Sequence, residues 1–525
     1  MSHFFAGTGV LIATVSAAAA ILLPSGHRWR SAAMLVALVL FPALILGDQW
    51  HSRQIVDLRD HAARLGALGV LALAISVALA AVFRRWPIIL PLAIVAALPF
   101  RVPLHAGGDT ANLLVPLYLV IAGGVLATVV GAWDARRAIS PAGGEDEGGV
   151  EDGPARSAPP SSVAGPAGQK ARIWLPRILA IVVVLYGVQT LYSADFSKGL
   201  QNVCFFIVPF SLVYALLRDV EWDRRLLALV LWVIGIEAAC FVLVGSIEYV
   251  SRSLFWNDQV IRSNEFHTYF RVNSVFWDPN IYGRYLSLVI VVAMAGLLWA
   301  RERRAQALLA GLVAILWVGL APTFSQSSFA ALLVGLAVLA ALRWSLRWTL
   351  GAVAIGAVAA VLVVTLVGGA KLTTNRINID TSGRANLISG GIHLFTQRPL
   401  YGYGTGSFPR AYREHVRTRT VPVSVSHTEP ITVAAEQGLV GLLAYTSLII
   451  VSLWTMAGGM LRLRLADPAP TSPRGGVAAR AAVLAAFIAL LVHTMAYAGF
   501  FEDPITWVLM AVGASLAAAP VRAET

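Results

Sequence analysis

The stretch NLLVPLYLVIAGGVLATVVGAW, residues 112–133, runs for 22 residues without a charged side chain and is followed at once by DARR. A hydrocarbon core is about 30 Å thick and is crossed by about 20 apolar residues in a helix. The block therefore reads as a membrane span that stops at a basic border. Similar blocks lie at 4–23, 31–47, 66–83, 87–100, 175–192, 200–217, 226–246, 281–300, 307–322, 324–342, 348–368, 430–457, 480–499 and 504–519. The segment 87–100 and the close pair meeting at Ala321 to Ser328 are the least regular. Of 525 residues, 58% are apolar and 13% charged, against roughly 25% charged in soluble domains. A water-soluble core has no use for so much apolar surface. The expected fold is an all-α polytopic membrane protein of about 14 transmembrane helices, within a range of 12–15. A large extracytoplasmic loop containing short helices is expected beside them.

The formal charge of +12 does not point to nucleic acid, because many of the arginines stand beside apolar blocks. It reads as membrane topology together with anionic ligands. Arg28/Arg30, Arg84/Arg85, Arg218/Arg224/Arg225, Arg301/Arg303/Arg304, Arg343/Arg347 and Arg462/Arg464 fall on one side when the spans alternate. By the positive-inside rule that side is the cytoplasm. Met1-Ser2-His3 gives residues 4–23 no basic flank, and no cleavage site follows, so this block is kept as a span and not a signal peptide. Cys204 and Cys240 both lie within spans and read as small hydrophobes, with no disulfide framework or zinc site.

Five parts follow from these boundaries: N-terminal spans at 1–134, a linker at 135–172, central spans at 173–368, a loop at 369–428, and C-terminal spans at 429–525. The linker, rich in Gly, Pro, Ser and acid (GGEDEGG, APPSS), is expected to be disordered and cytoplasmic. The extracytoplasmic side receives two long polar stretches, 249–280 and 369–427. The second carries Lys371, Arg376, Arg384, Arg398, Arg410, Arg413, Arg417 and Arg419 against Asp380 and Glu414. An anionic ligand accounts for that excess.

Within this loop, DTSGR (380–384) opens a segment whose Leu387, Ile388, Ile392, Leu394 and Phe395 repeat at helical spacing, with Ser382 as the expected N-cap. Arg384 falls in the first turn, where a cation opposes the helix dipole and an oxyanion is favoured. It therefore reads as a ligand contact. Arg398-Pro399 ends the helix, and Tyr401, Gly402, Tyr403, Gly404 and Gly406 follow. Alternating glycines let the backbone fold tightly against a neighbour. Further on, Ser426-His427-Thr428-Glu429-Pro430 has capping-box spacing ahead of the span from Ile431. His427 is then at a helix N-terminus, where the dipole and nearby arginines favour a neutral ring able to accept a proton. In RVNSVFWDPN (271–280), Asp278 and Pro279 are expected to cap the next span, whereas Arg271 has no capping role to account for it. His493 and Glu502-Asp503-Pro504 read as bonds between helices, and Asp195 and Lys198 as a solvated outer turn.

The run SGRANLISGGIHLFTQRPLYGYGTGSF, then HTEPITVAAEQGLVGLLAY, resembles the signature region of the O-antigen ligase and polymerase family, and RVNSVFWDPNIYGRYL is similar to the segment that precedes it there. The resemblance covers about Arg271 to Leu443. It implies a GT-C-like bundle in a bacterial inner (plasma) membrane, acting on the extracytoplasmic face without metal or other cofactor. The implied donor is a polyprenyl-diphosphate-linked glycan, and the acceptor a hydroxyl on a glycan or lipid. The resemblance also implies catalytic roles for Arg271 and Arg384, on the diphosphate, and for His427, on the acceptor hydroxyl. Candidate substrate-binding positions are Arg376, Arg398, Tyr401, Gly404, Asp278, Asn280 and Glu436. The chain departs from the family pattern near TFSQSSF, where Gln326 or Ser328 stands in place of a frequent arginine, so one phosphate contact is expected from elsewhere. An inverting transfer fits, because a single displacement needs no enzyme nucleophile. Ligase and polymerase are not separated. The alternative is a transporter or flippase of polyprenyl-linked glycans, which predicts charges on several mid-membrane helices in matched halves.

Overall fold

The computed structural model describes residues 3–50, 56, 62–106, 109–139, 166–255, 257–266, 269–349, 351, 384–416, 426–458, 460 and 474–518. The chain begins with α1 (His3–Leu22), α2 (Arg28–Asp48), α3 (Ala62–Arg85) and the short α4 (Ile89–Ala97). A hairpin of β1 (Val102–Ala106) and β2 (Asp109–Leu113) leads to α5 (Val115–Ile139) and α6 (Pro166–Leu191). α7 (Phe196–Asn202) runs through one π-helical turn, Val203–Ile207, into α8 (Val208–Leu217). Then come α9 (Arg224–Ser251), α10 (Asp258–Phe266), α11 (Pro279–Trp299), α12 (Arg303–Leu320) and α13 (Gln326–Arg343). α14 (Arg384–Gln397), α15 (Phe408–His415), α16 (Glu429–Ala457), α17 (Arg474–Thr494) and α18 (Pro504–Ala518) complete the described chain.

Twelve helices among the described residues are long and apolar enough to cross a membrane, and α18 is a shorter apolar helix. The protein is a helical, polytopic integral membrane protein. Two details depart from the expected spans. Residues 87–100 form only the nine-residue α4, about 14 Å long and shorter than a full helical span, although along it the chain passes from the end that holds Arg84 to the cavity that Arg101 lines. Pro87 precedes it and Pro99 blocks its continuation. The hairpin that follows was not expected from the sequence; it pairs Val102 with Leu113 in antiparallel register. Most of the span expected at 348–368, the core of the linker, Arg376 and Ser382 lie outside the described residues.

Helix ends obey local chemistry. Asp278 Oδ1 accepts the Asn280 N–H at 2.6 Å, with Pro279 in the first turn, as the spacing predicts. Asp223 caps α9 through the Leu226 N–H at 2.7 Å. Between α12 and α13 a 3-10 turn, Ala321–Thr323, and Phe324 at φ +49° separate two spans that the sequence leaves almost continuous. Close helix contacts use small residues: a Cβ on Gly187 of α6 would meet Thr14 Oγ1 of α1 at 2.3 Å. Large apolar side chains such as Leu71, Trp232, Leu243, Val318 and Leu333 remain exposed on the outside, where lipid tails solvate them.

The bundle has two different ends. At one, Arg30 pairs with Asp219 at 2.8 Å, Arg84 pairs with Asp134, Arg218 donates to the Ile21 carbonyl, and Arg343 donates to the Leu298 carbonyl at 3.3 Å. The other end gathers the turn after α6, the loop before α11, α14, α15 and the turn before α18. Ala194 N–H to the Tyr403 carbonyl (2.9 Å), Val272 N–H to the Pro322 carbonyl (3.2 Å) and Thr428 Oγ1 to the Met495 carbonyl (3.1 Å) join these segments.

Candidate active site

α16 is broken one third of the way along. Gly438 at φ +64°, ψ −161° interrupts the helix, which frees the carbonyls of Ala435 and Glu436. The glycine-rich stretch lies across the break: Tyr403 and Gly404 N–H donate to those two carbonyls at 3.2 and 2.7 Å. The buried Glu436 carboxylate adds two bonds, from Gly406 N–H at 2.8 Å and Phe408 N–H at 2.9 Å. The tight packing expected of alternating glycines is thus observed. Gly404 sits at φ +90°, and a Cβ there would stand 2.2 Å from Ser193 Cα, so a larger residue meets both strain and backbone.

Beside this clamp lies a cavity of about 290 Å³ with His427 in its wall. His427 has a left-handed backbone, φ +62°, and precedes the N-cap Thr428, so it does stand at a helix N-terminus. Its ring centroid is 6.3 Å from that of Tyr497. The expected capping box does not form. Glu429 instead turns away to accept the Gly499 and Phe500 N–H groups at 2.7 and 3.1 Å, while Ser426 Oγ bonds Thr432 and the Thr428 carbonyl, both at 2.8 Å. The C-terminal turn and the start of α16 are thereby one unit.

The cavity is also lined by Arg101, Lys198, Arg284, Glu429, Glu436 and Glu502. Three cations arrive from three places: the segment after α4, the start of α7, and α11 one turn past Asn280. Arg284 Nη2 pairs with Asp503 Oδ2 at 2.9 Å, and both side chains are buried. Glu502 keeps accessible surface, but that surface faces the cavity. Enclosure by protein pushes its carboxyl above the usual range, against the pull of Lys198, Arg101 and Arg284. Among the described residues no three His, Cys, Asp or Glu side chains come together as a metal site requires.

The candidate residues take distinct positions. His427 and Glu436 line the cavity. Arg271 Nε donates to the Thr323 carbonyl at 2.9 Å and Nη2 to Asn280 Oδ1 at 3.2 Å, next to the α11 turn that supplies Ile281 and Arg284 to the cavity wall. The described part of α14 runs from Arg384 through the segment expected to be helical, while Ser382, Arg376 and the Arg384 side chain lie outside the described residues. Asp278 serves as an N-cap, and Asn280 accepts from both Arg271 and Ser325. Arg398, Tyr401 and Gly402 border a separate surface groove with Tyr192. There the Arg398 guanidinium lies 4.4 Å from the Tyr403 ring centre, and the Tyr401 carbonyl accepts from Tyr192 Oη at 2.8 Å. Burial of the Tyr403 hydroxyl raises its pKa.

Residues 311–446 match the family model described as O-Antigen ligase. The chain carries an O-antigen ligase domain. No curated protein matches the chain. The matched stretch begins within α12, takes in Arg384, the glycine-rich stretch, His427 and Glu436, and ends within α16. Arg101, Lys198, Arg284 and Glu502 lie outside the O-antigen ligase domain in sequence yet share its cavity. Lys198, expected in a solvated outer turn, and Glu502, expected to bond neighbouring helices, both line the cavity. His493 does bond a neighbouring helix, through Ser327 Oγ at 3.2 Å. Arg284 carried a usable signal, a charge inside an apolar block.

Proposed function

We propose that the protein transfers a glycan from a polyprenyl diphosphate to an acceptor hydroxyl at the extracytoplasmic face of a bacterial plasma membrane, as a step in cell-envelope polysaccharide synthesis. The observation that carries this reading is the cavity against the O-antigen ligase domain, where His427 at a helix start faces a wall holding three cations. In this reaction His427 removes the acceptor proton, the acceptor oxygen attacks the anomeric carbon, and the bond from that carbon to the diphosphate oxygen breaks. One displacement inverts the anomeric centre. The departing polyprenyl diphosphate gains negative charge, so fixed cations lower the barrier where charge develops. Arg384, at the N-terminus of α14, and Arg271, held beside the α11 turn, are assigned to the diphosphate. Neither metal nor cofactor is required by this scheme.

The test is transfer in vitro with purified protein, a polyprenyl-diphosphate glycan and candidate acceptors in the presence of EDTA. His427→Ala is expected to slow transfer by about 100-fold or more, the usual contribution of a general base, and Arg384→Ala by at least about tenfold. Transfer unchanged in both variants removes the site assignment. Directional movement of the lipid-linked glycan without bond formation replaces the enzyme with a transporter.

A further inference from the structure

Arg284 has the features of a ligand-binding residue. It is 4% exposed, lies inside a membrane span and lines the main cavity. Its Nη2 stands 2.9 Å from Asp503 Oδ2 in an ion pair that lacks hydrogen-bond alignment, and Nη1 is buried with no hydrogen-bond partner among the described residues. A buried guanidinium N–H without an acceptor is costly, and native interiors rarely leave one. Asp503 is itself fixed, because its other oxygen accepts the Ile505 N–H at 2.9 Å. The ion pair keeps the guanidinium beside Asp503 and leaves the Nη1 donor unused.

Its position narrows the choice of acceptor. Arg101, Ile281 and Arg284 line both the polar cavity and a gap of about 20 Å³ beneath it. Leu98, Tyr285 and Ile505 line that gap and also a slot of about 290 Å³, walled almost wholly by aliphatic side chains of α9, α11, α17 and α18. Arg284 thus stands where a polar chamber gives way to an apolar one. Neither Arg101 nor Lys198 has an ion pair within 4 Å among the described residues, and the acid that faces them and Arg284 in the cavity is Glu502, whose charged form its enclosure disfavours. The Glu429 and Glu436 carboxylates are occupied by backbone N–H groups.

We infer that Arg284, oriented by Asp503 and joined by Arg101 and Lys198, binds the diphosphate of a polyprenyl diphosphate at the point where its polar head meets its apolar tail. This rests on the proposed function and adds a second cation group to it, outside the family domain. Phosphate oxygens satisfy the unused Nη1 through a charge-assisted bond, and an amphiphile charged between a polar head and a hydrocarbon chain matches the order of the chambers. Asp503 acts through Arg284 and is a positioning residue.

Binding of farnesyl diphosphate and of farnesol to the purified full-length protein in nanodiscs tests this. Removing Arg284 alone leaves Asp503 buried and unpaired, which invites misfolding. The decisive variant is therefore Arg284→Met/Asp503→Leu, with thermal unfolding as a fold check and Asp503→Asn as a milder second variant. The double variant is expected to bind farnesyl diphosphate about 10- to 100-fold more weakly and farnesol as the wild type does. Asp503→Asn is expected to weaken the diphosphate alone, by several-fold. Equal diphosphate affinity in wild type and both variants overturns the inference, as does a wild type with no saturable diphosphate binding. A wild type that transfers glycan while the double variant keeps its diphosphate affinity overturns this inference alone. A wild type that binds the diphosphate through Arg284 yet transfers nothing supports it and overturns the proposed function.

Discussion

Glu502 sits in the wall of the cavity opposite cations, in a turn with no regular structure, and its environment penalises its charged form. The consequence for stability has a definite sign. A carboxyl whose folded-state pKa is raised holds its proton more tightly in the folded chain, so the resulting stabilisation is complete below the ordinary carboxylate range. It is lost as the pH climbs through the folded-state value. Glu502→Gln, which cannot ionise, is therefore expected to unfold at a higher temperature than the wild type at alkaline pH, by on the order of 2 °C, with the two converging in acid. Parallel curves of Tm against pH are incompatible with an enclosed, titrating Glu502. At this scale the sequence was legible where the chemistry is local. Asp278 and His427 announce themselves through helix ends, because caps and dipoles act over one turn. Arg101, Lys198 and Glu502 do not, because only the folded chain brings residues 101, 198 and 502 to one cavity.

Among elements, the joint between the glycine-rich stretch and α16 is the one that fixes the cavity wall. Two glycines do complementary work there: Gly438 opens the helix ladder, and Gly404 lets the loop reach the exposed carbonyls. Glu436 closes the joint by accepting two N–H groups that have no other way to be satisfied in a buried setting. Glu436→Ala is expected to destabilise the protein by on the order of 2 kcal/mol, read from unfolding in denaturant or heat, with Glu436→Gln losing less because its carbonyl oxygen still accepts one bond. An alanine variant as stable as the wild type contradicts the clamp. The spans themselves were readable from apolar runs, since a bilayer imposes length and polarity directly. The short α4 was not: fourteen mostly apolar residues meet the composition of a span while Pro87 and Pro99 deny them its length. Likewise the capping box at Ser426 had the right spacing but lost Glu429 to the C-terminal turn, a tertiary partner invisible from local sequence.

On the scale of the whole molecule, the arginine clusters and the candidate site occupy opposite ends of the bundle, and the proposed transfer depends on which end faces the cytoplasm. At the first end, Arg30, Arg84, Arg218 and Arg343 bond between the ends of different helices, and Arg30, Arg218 and Arg343 stand beside short connections, the setting in which positive charge dictates orientation. The basic stretch near the site belongs to a long loop, to which that rule applies only weakly. The proposed function needs the arginine-rich end in the cytoplasm and the cavity outside, as the positive-inside rule leads one to expect. Single-cysteine labelling decides the matter. Cys204 is buried and Cys240 lies within a span, so replacing both removes the background at little structural cost. Arg413, exposed on α15, and Arg304, exposed in the first turn of α12, then report on the two ends. Arg413→Cys is expected to react with a membrane-impermeant maleimide in intact cells, and Arg304→Cys only after permeabilisation. The opposite pattern places the cavity in the cytoplasm, which would take the glycan donor from the wrong face and rule out the proposed extracytoplasmic transfer even if the diphosphate chemistry at Arg284 stands.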